Sequence, residues 1–236
     1  MRRIEGKVIS NKVILSDDTI HHLSVIRVKC AEKIEINDNG QIYSAVVNSI
    51  NPIKIDIIEK IDINRELCSD VTVFMPLLKN GNFDLCLQKA TELGVRRIIP
   101  YVSSRSVVRL DKVSFDKKMD RFKKILLNAS LQSNRNQIPT LESLIKLKDI
   151  SSFAFDLKLL AYENESLKSS LIPNDINIRN KKEIAIVIGC EGGFSEEEVE
   201  YLVGCGYQSI SLGKRILRAE TAVFYSLSVL SYLLEV

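Results

Sequence analysis

Histidine and paired cysteine, two of the commonest sources of enzyme chemistry, are scarce in this chain. Only His21 and His22 occur, side by side, and the five cysteines (Cys30, Cys68, Cys86, Cys190 and Cys205) form no C-x-x-C pair. A structural zinc site or a thiol–histidine nucleophile needs ligand spacings that are absent here. No metal is therefore expected, and the cysteines read as small apolar packing residues. Long apolar runs are also missing. The longest uncharged one, Ala222 to Leu234, is shorter than the ~20 residues of a membrane span, and the N-terminus shows no signal-peptide progression. The expectation is a cytoplasmic protein without a membrane partner.

Net charge is small, at +3, but unevenly placed. Between Arg96 and Arg135 there are eleven Lys or Arg residues and only three Asp. Such a block is either a solvated helix face or a footprint for a phosphate backbone.

Up to about residue 67 the pattern is that of strands. "KVIL", "EKIEIN", "QIYSAVV" and "IKIDIIEK" alternate in polarity, and Asp38-Asn39-Gly40 supplies a hairpin turn. This predicts a small, mostly antiparallel β unit, with His21 and His22 packed or capping within it. From Val71 the period changes. "VTVFMPLL", "RIIPYV", "LKLLAYE", "EIAIVIG" and "YQSISLG" read as strands. Between and after them, helices are predicted at Phe83 to Leu93, Ser114 to Gln132, from Ser195, and from about Glu220. Alternating strands and helices predict a parallel sheet covered on both faces, with a domain boundary near residues 62 to 70.

The segment "IGCEGGFSEEEVE", Ile188 to Glu200, follows one of these strands, and ligands in open α/β sheets bind beyond strand carboxyl ends. Ser195 and Glu198 have the spacing of a capping box, which fixes the next helix start. A phosphate loop is excluded by the missing Gly-Lys-Ser/Thr and G-x-G-x-x-G orders and by Glu191 and Glu196 to Glu198. A neutral or cationic ligand that lies against bare backbone suits the loop better. The bland alternative is a strand-to-helix turn with an acidic first turn. "SLGKRILRAETAVF", Ser211 to Phe224, repeats the arrangement after the next strand, with Lys214, Arg215 and Arg218 followed by Glu220 or Thr221 as helix cap. Cations set between an apolar strand and an apolar helix suggest a shared pocket, since burying them unpaired is costly.

These two segments, together with "HHLSVIR" (21–27), "LQKATELGV" (87–95), "RSVVRL" (105–110) and "NASLQSNRNQIPTL" (128–141), resemble the ordered motifs of the SPOUT superfamily of knotted methyltransferases. They are similar to the branch that methylates N3 of a uracil in small-subunit (16S) ribosomal RNA, the RsmE family. The resemblance covers nearly the whole chain. It implies an α/β protein in which a PUA-like β-barrel RNA-binding domain (1–68) precedes a SPOUT methyltransferase domain (69–236) with a parallel sheet and a trefoil knot. A homodimer, S-adenosylmethionine as methyl donor, and 16S rRNA within the assembled small subunit as substrate are also implied.

Carried over by position, Gly189, Glu191, Gly192, Gly193, Leu212, Gly213, Ile216, Leu217, Arg218 and Thr221 would hold the donor, and Arg218 and Glu220 would serve catalysis. Arg2, Arg3, Arg27, Arg105, Arg109, Gln132 and Arg135 would meet RNA. Cys190 stands where the family commonly has proline, and Asn128 and Leu131 stand where it commonly has glutamate. Arg218 suits the charge that develops on uracil oxygens as N3 loses its proton, while Glu220 either takes that proton or holds Arg218. The alternatives are a SPOUT methyltransferase acting on transfer RNA or large-subunit rRNA, and a non-catalytic ribosomal RNA-binding protein.

Overall fold

The structure, a computed structural model, describes residues 2–162 and 178–235. Residues 163 to 182, which read in the sequence as a polar stretch rich in Asn and Ser, lie largely outside the described residues. Six strands form the first sheet: β1 (Arg2–Glu5), β2 (Lys7–Ile9), β3 (Lys12–Ile14), β4 (Lys33–Asp38), β5 (Gln41–Ile50) and β6 (Ile53–Ile61), in the order β1-β4-β5-β6-β3-β2. All pairs are antiparallel except β1 with β4. At the β4–β5 hairpin Asn39 (φ 49°) and Gly40 (φ 93°) adopt the left-handed conformation that the Asp38-Asn39-Gly40 signal called for.

The β pattern missed one helix, α1 (Asp17–Val25). Its signal was local: Ser16 Oγ accepts from Thr19 N, and Asp17 and Asp18 occupy the first turn. Leu23 alone is buried on it, so the apolar periodicity was too thin to register. His21 and His22 lie exposed on this helix, contrary to the expectation that they pack or cap inside the barrel.

The division of the chain is not a single cut. One compact unit comprises the residues up to Glu66 together with Ser130–Ile138; the other comprises Leu67–Ala129 and the chain from Pro139 onward. Charged pairs tie Ser130–Ile138 into the first unit. Arg3 Nε donates to Glu35 Oε2 (2.8 Å) and its Nη1 to Arg135 O (2.9 Å). Arg135 Nε donates to Glu66 Oε2 (3.1 Å), whose Oε1 accepts from Asn136 N (2.8 Å). Asn37 Nδ2 donates to Asn136 O (2.9 Å). The side chains of Arg3 and Arg135 are only 0 % and 4 % exposed. Burial lowers the Arg3 pKa, against the opposing pull of Glu35.

The second unit holds a wholly parallel sheet. Its strands are β7 (Asp70–Pro76), β8 (Arg97–Val102), β9 (Thr140–Leu141), β10 (Ile145–Lys146), β11 (Leu157–Ala161), β12 (Glu183–Ile188) and β13 (Gln208–Ile210). The order is β10-β8-β7-β12-β11-β13, with β9 also paired to β8. Its helices are α2 (Asn82–Glu92), α3 (Lys112–Asp116), α4 (Met119–Gln132), α5 (Glu196–Gly204) and α6 (Ala219–Leu234). Strand side chains alternate between two cores. Val71, Val73, Ile184 and Ile186 face the core that contains α2 and α6, while Phe74, Ala185 and Val187 face the one that contains Leu202 of α5. Both faces are thus buried, as a parallel sheet requires.

The long helix expected over Ser114 to Gln132 is two. Asp111 Oδ1 caps the first by accepting from Ser114 N, and Lys118 N bonds Phe115 O, a three-residue turn that tightens the chain before α4 starts. Phe83, Phe115 and Phe122 meet edge-on or tilted at 5.2–6.1 Å across this corner.

Candidate active site

The carboxyl ends of β11, β12 and β13 meet at one cleft. It is lined by Ala161 and Tyr162 after β11, Gly189 and Cys190 after β12, Ser211, Leu212, Gly213, Arg215 and Leu217 after β13, and Ala219 and Ala222 at the start of α6. About 60 Å³ lies within its walls, so a ligand the size of a nucleoside would extend into the mouth. The walls are mixed, with apolar Leu and Ala beside backbone amides and carbonyls, which is the mark of a small-molecule site.

The glycine loop has little room for side chains. A Cβ at Gly189 would stand 3.1 Å from the Phe194 ring, and one at Gly192 would stand 3.0 Å from the Arg105 carbonyl oxygen. Gly213 sits at φ 106°, where only glycine is unstrained. Gly193 N closes the loop on Cys190 O at 2.9 Å. The capping box forms as its spacing requires: Ser195 Oγ accepts from Glu198 N (3.2 Å) and Glu198 Oε2 accepts from Ser195 N (3.0 Å).

Below the loop, the fully buried Tyr101 of β8 donates its hydroxyl to Ile188 O (2.6 Å) at the end of β12. Burial, followed by Cys190 and Glu198, holds this phenol well above its usual pKa, so it remains a donor at alkaline pH where a free tyrosine ionises. Tyr101→Phe leaves that strand-end carbonyl without its donor and is expected to destabilise the protein by about 1–2 kcal/mol, read from urea unfolding midpoints.

Of the residues expected to hold a donor, Gly189, Leu212, Gly213 and Leu217 line the cleft. Glu191, Gly192, Gly193, Ile216, Arg218 and Thr221 lie in the same two segments but do not form its wall. Glu191 accepts from Lys79 N at 3.4 Å, beyond the end of β7. The helix cap is Arg218 itself, with extended backbone and no side-chain cap bond, rather than Glu220 or Thr221. Lys214, Arg215 and Arg218 are all exposed, so the cost of burying cations is not what brings these loops together. Glu220 is half-buried and near enough to raise the Cys86 thiol, which burial chiefly pushes up to about 12.

Sequence reasoning missed Ala161, Tyr162, Ser211, Ala219 and Ala222, and it singled out Cys190 and Arg215 in the two loops without giving either a part in holding the donor. The strand-end rule points to Tyr162, which directly follows "LKLLA". Cys190 is buried: its Sγ lies 3.7 Å from Ser103 Oγ and 3.4 Å from Gly193 O. The small thiol fills the base of the loop.

Among the residues expected to meet RNA, Arg3 and Arg135 are corrected outright. Both guanidinium groups are buried on protein carboxylates and carbonyls and have no face for a phosphate. Arg2 is exposed and pairs with Glu32 (3.2 Å). Arg27, Arg109 and Gln132 are exposed. Arg105 is exposed yet donates to Phe194 O (3.0 Å) and Gly192 O (3.4 Å). In the basic stretch, Arg121 is bound to Asp84 and Arg97 lies over Phe155, whereas Lys112, Lys117, Lys118 and Lys123 remain at the surface. Among the described residues no cluster of metal-ligating side chains is present, and no helix is long and apolar enough to cross a membrane.

Comparison with known proteins agrees with this geometry. Residues 65–231 match the model of the RNA methyltransferase domain, and residues 15–60 match that of the RNA methyltransferase PUA domain. Ribosomal RNA small subunit methyltransferase E of Mesomycoplasma hyopneumoniae is 36 % identical, covering 92 % of this chain and 93 % of its own. The protein of the same name from Bacillus subtilis is 33 % identical, covering 94 % and 90 %. A crystal structure of ribosomal RNA small subunit methyltransferase E from Neisseria gonorrhoeae bound to S-adenosyl methionine superposes with a TM-score of 0.85 at 29 % identity, covering 99 % of this chain and 98 % of that one. With its parallel methyltransferase sheet, its strand-end cleft and its PUA domain, the chain belongs to the ribosomal RNA small subunit methyltransferase E family.

Proposed function

We propose that this protein transfers the methyl group of S-adenosylmethionine to N3 of a uridine in 16S ribosomal RNA. The observation that carries the proposal is the cleft itself: glycine-rich backbone after β12 faces Leu212, Gly213 and Leu217 after β13, with Arg215 and Arg218 beside it. Apolar walls and close glycine backbone fit a neutral purine, and the acidic Glu191 in the same loop disfavours a phosphorylated ligand. The similar Neisseria protein is bound to this donor.

When bound, S-adenosylmethionine supplies an electrophilic methyl carbon; the side chains position the base and manage its proton. A paired uracil hides N3, so the base must be presented unpaired or flipped. As N3 loses its proton, negative charge spreads onto the flanking carbonyl oxygens, and we assign Arg218 to stabilise it. Its neighbours Leu217 and Ala219 line the cleft while its own side chain is exposed, which leaves it available to an incoming base. The N3 proton passes to water or to Glu220, the half-buried carboxylate two residues after Arg218, which either accepts it or braces Arg218.

In the same reading the first unit, residues up to Glu66 with Ser130–Ile138, presents RNA through exposed Arg2 and Arg27, and the second unit is the knotted catalytic domain. Arg109 and Gln132 are the remaining exposed residues assigned to RNA contact. The protein acts in the cytoplasm as a homodimer, which fits the exposed apolar surface at Ile216 (86 %), Tyr225 (42 %) and Tyr232 (80 %). Calorimetric titration with S-adenosylmethionine, followed by labelled-methyl transfer to small-subunit particles, tests the proposal. Binding plus incorporation is expected. Binding with no incorporation would sink the enzymatic role, and incorporation into transfer RNA alone would move the substrate.

A further inference from the structure

Two side chains outside the cleft join the loop after β8 to the glycine loop. Arg105 Nη1 donates to Phe194 O (3.0 Å) and to Gly192 O (3.4 Å). Glu198 divides its carboxylate: Oε1 accepts from Ser104 N (2.8 Å) and Oε2 from Ser195 N (3.0 Å). The backbones are in close contact, since a Cβ on Gly192 would meet the Arg105 carbonyl oxygen at 3.0 Å. A cation on the carbonyls of one loop and an anion on the amides of both loops hold the pair from opposite sides. Charge-assisted bonds of this kind are stronger than neutral ones, and their geometry is directional.

The Glu198 carboxylate therefore does more than cap α5, for which the bond to Ser195 suffices. Its second oxygen is committed to another loop. Likewise Arg105, though exposed, has its guanidinium directed at protein carbonyls.

We propose that Arg105 and Glu198 are positioning residues for the methyl donor: they clamp the Ser103–Ser106 loop onto the glycine loop and so fix the path of backbone that the donor reads. This rests on the assignment of the cleft to S-adenosylmethionine. It gives Arg105 an effect on donor affinity in place of the RNA contact that its charge suggested.

The test uses the full-length protein and the variants Arg105→Ala, Arg105→Lys and Glu198→Gln. S-adenosylmethionine affinity is measured by calorimetry without RNA, small-subunit RNA affinity across a salt series, and KM and kcat for each substrate. Loss of two charge-assisted bonds in Arg105→Ala is expected to weaken donor binding about tenfold. KM for the donor rises in parallel, while kcat, RNA affinity and its salt slope change by less than about twofold. Arg105→Lys, with one compact cation for two carbonyls, falls between wild type and alanine. Glu198→Gln keeps one acceptor oxygen and weakens donor binding about fivefold without lowering the melting temperature beyond a few degrees. Unchanged donor affinity in Arg105→Ala, with the RNA salt slope reduced by about 1, would make it a phosphate contact and overturn the clamp. Equal loss of donor binding, RNA binding and thermal stability in all three variants would also overturn it. Failure of the wild-type protein to bind S-adenosylmethionine removes the donor assignment and the clamp together; normal wild-type binding with unaffected variants removes the clamp alone.

Discussion

Arg218→Ala is expected to reduce methyl transfer by about 10²–10³-fold, the range for loss of one preorganised group that stabilises charge in a transition state. S-adenosylmethionine affinity should stay within about twofold, because the cleft wall uses Leu217 and Ala219 on either side of Arg218 and not its side chain. Arg218 is also the N-cap of α6 without contributing a side-chain cap bond, so alanine leaves the helix start intact. Single-turnover transfer with saturating donor and RNA reads the chemical step directly. Normal turnover in this variant would remove Arg218 from the mechanism.

Glu66→Ala is expected to destabilise the protein by about 3–5 kcal/mol, the cost of breaking a buried ion pair by removing one side. Glu66 accepts from the buried Arg135 Nε and from the backbone amides of Asn136 and Gln137, so its loss removes the carboxylate partner of a buried guanidinium together with the acceptor of two backbone amides. Chemical denaturation measures the change. A loss below about 1 kcal/mol would mean that the pair behaves as an exposed one. The same network explains why Arg3 and Arg135 are not RNA contacts: Arg3 donates to the carbonyl of Arg135 as well as to Glu35, and both are closed off from solvent.

The parallel sheet was legible in the sequence because β7 and β12 are near-continuous apolar runs after their first, charged residue, the pattern of a strand buried on both faces. Helix α5 was legible from Ser195 and Glu198, whose spacing is itself the capping geometry. What escaped depended on distant partners. Ser130–Ile138 lies far along the chain from the unit it joins, and nothing in "SNRNQI" reveals that Arg3 awaits its carbonyls and Glu66 its amides and Arg135. Arg3 and Arg135 carry the same charge as surface cations, so carry-over by position assigned them to RNA. Arg105 likewise reads as an RNA contact in the sequence, since only geometry shows a guanidinium directed at Gly192 and Phe194. In the cleft, the glycines and leucines were visible as motif letters, whereas Tyr162 and Ala161 required knowing that β11 ends beside β12.

Mass-spectrometric mapping of methylated nucleotides in 16S rRNA, from cells with and without this protein, tests the central claim most directly. The account predicts one uridine carrying a methyl group on N3 that disappears when the protein is removed and returns with the wild-type chain but not with Arg218→Ala. A 16S methylation pattern identical in both cell types, or a lost methyl group at a position other than uridine N3, would contradict it.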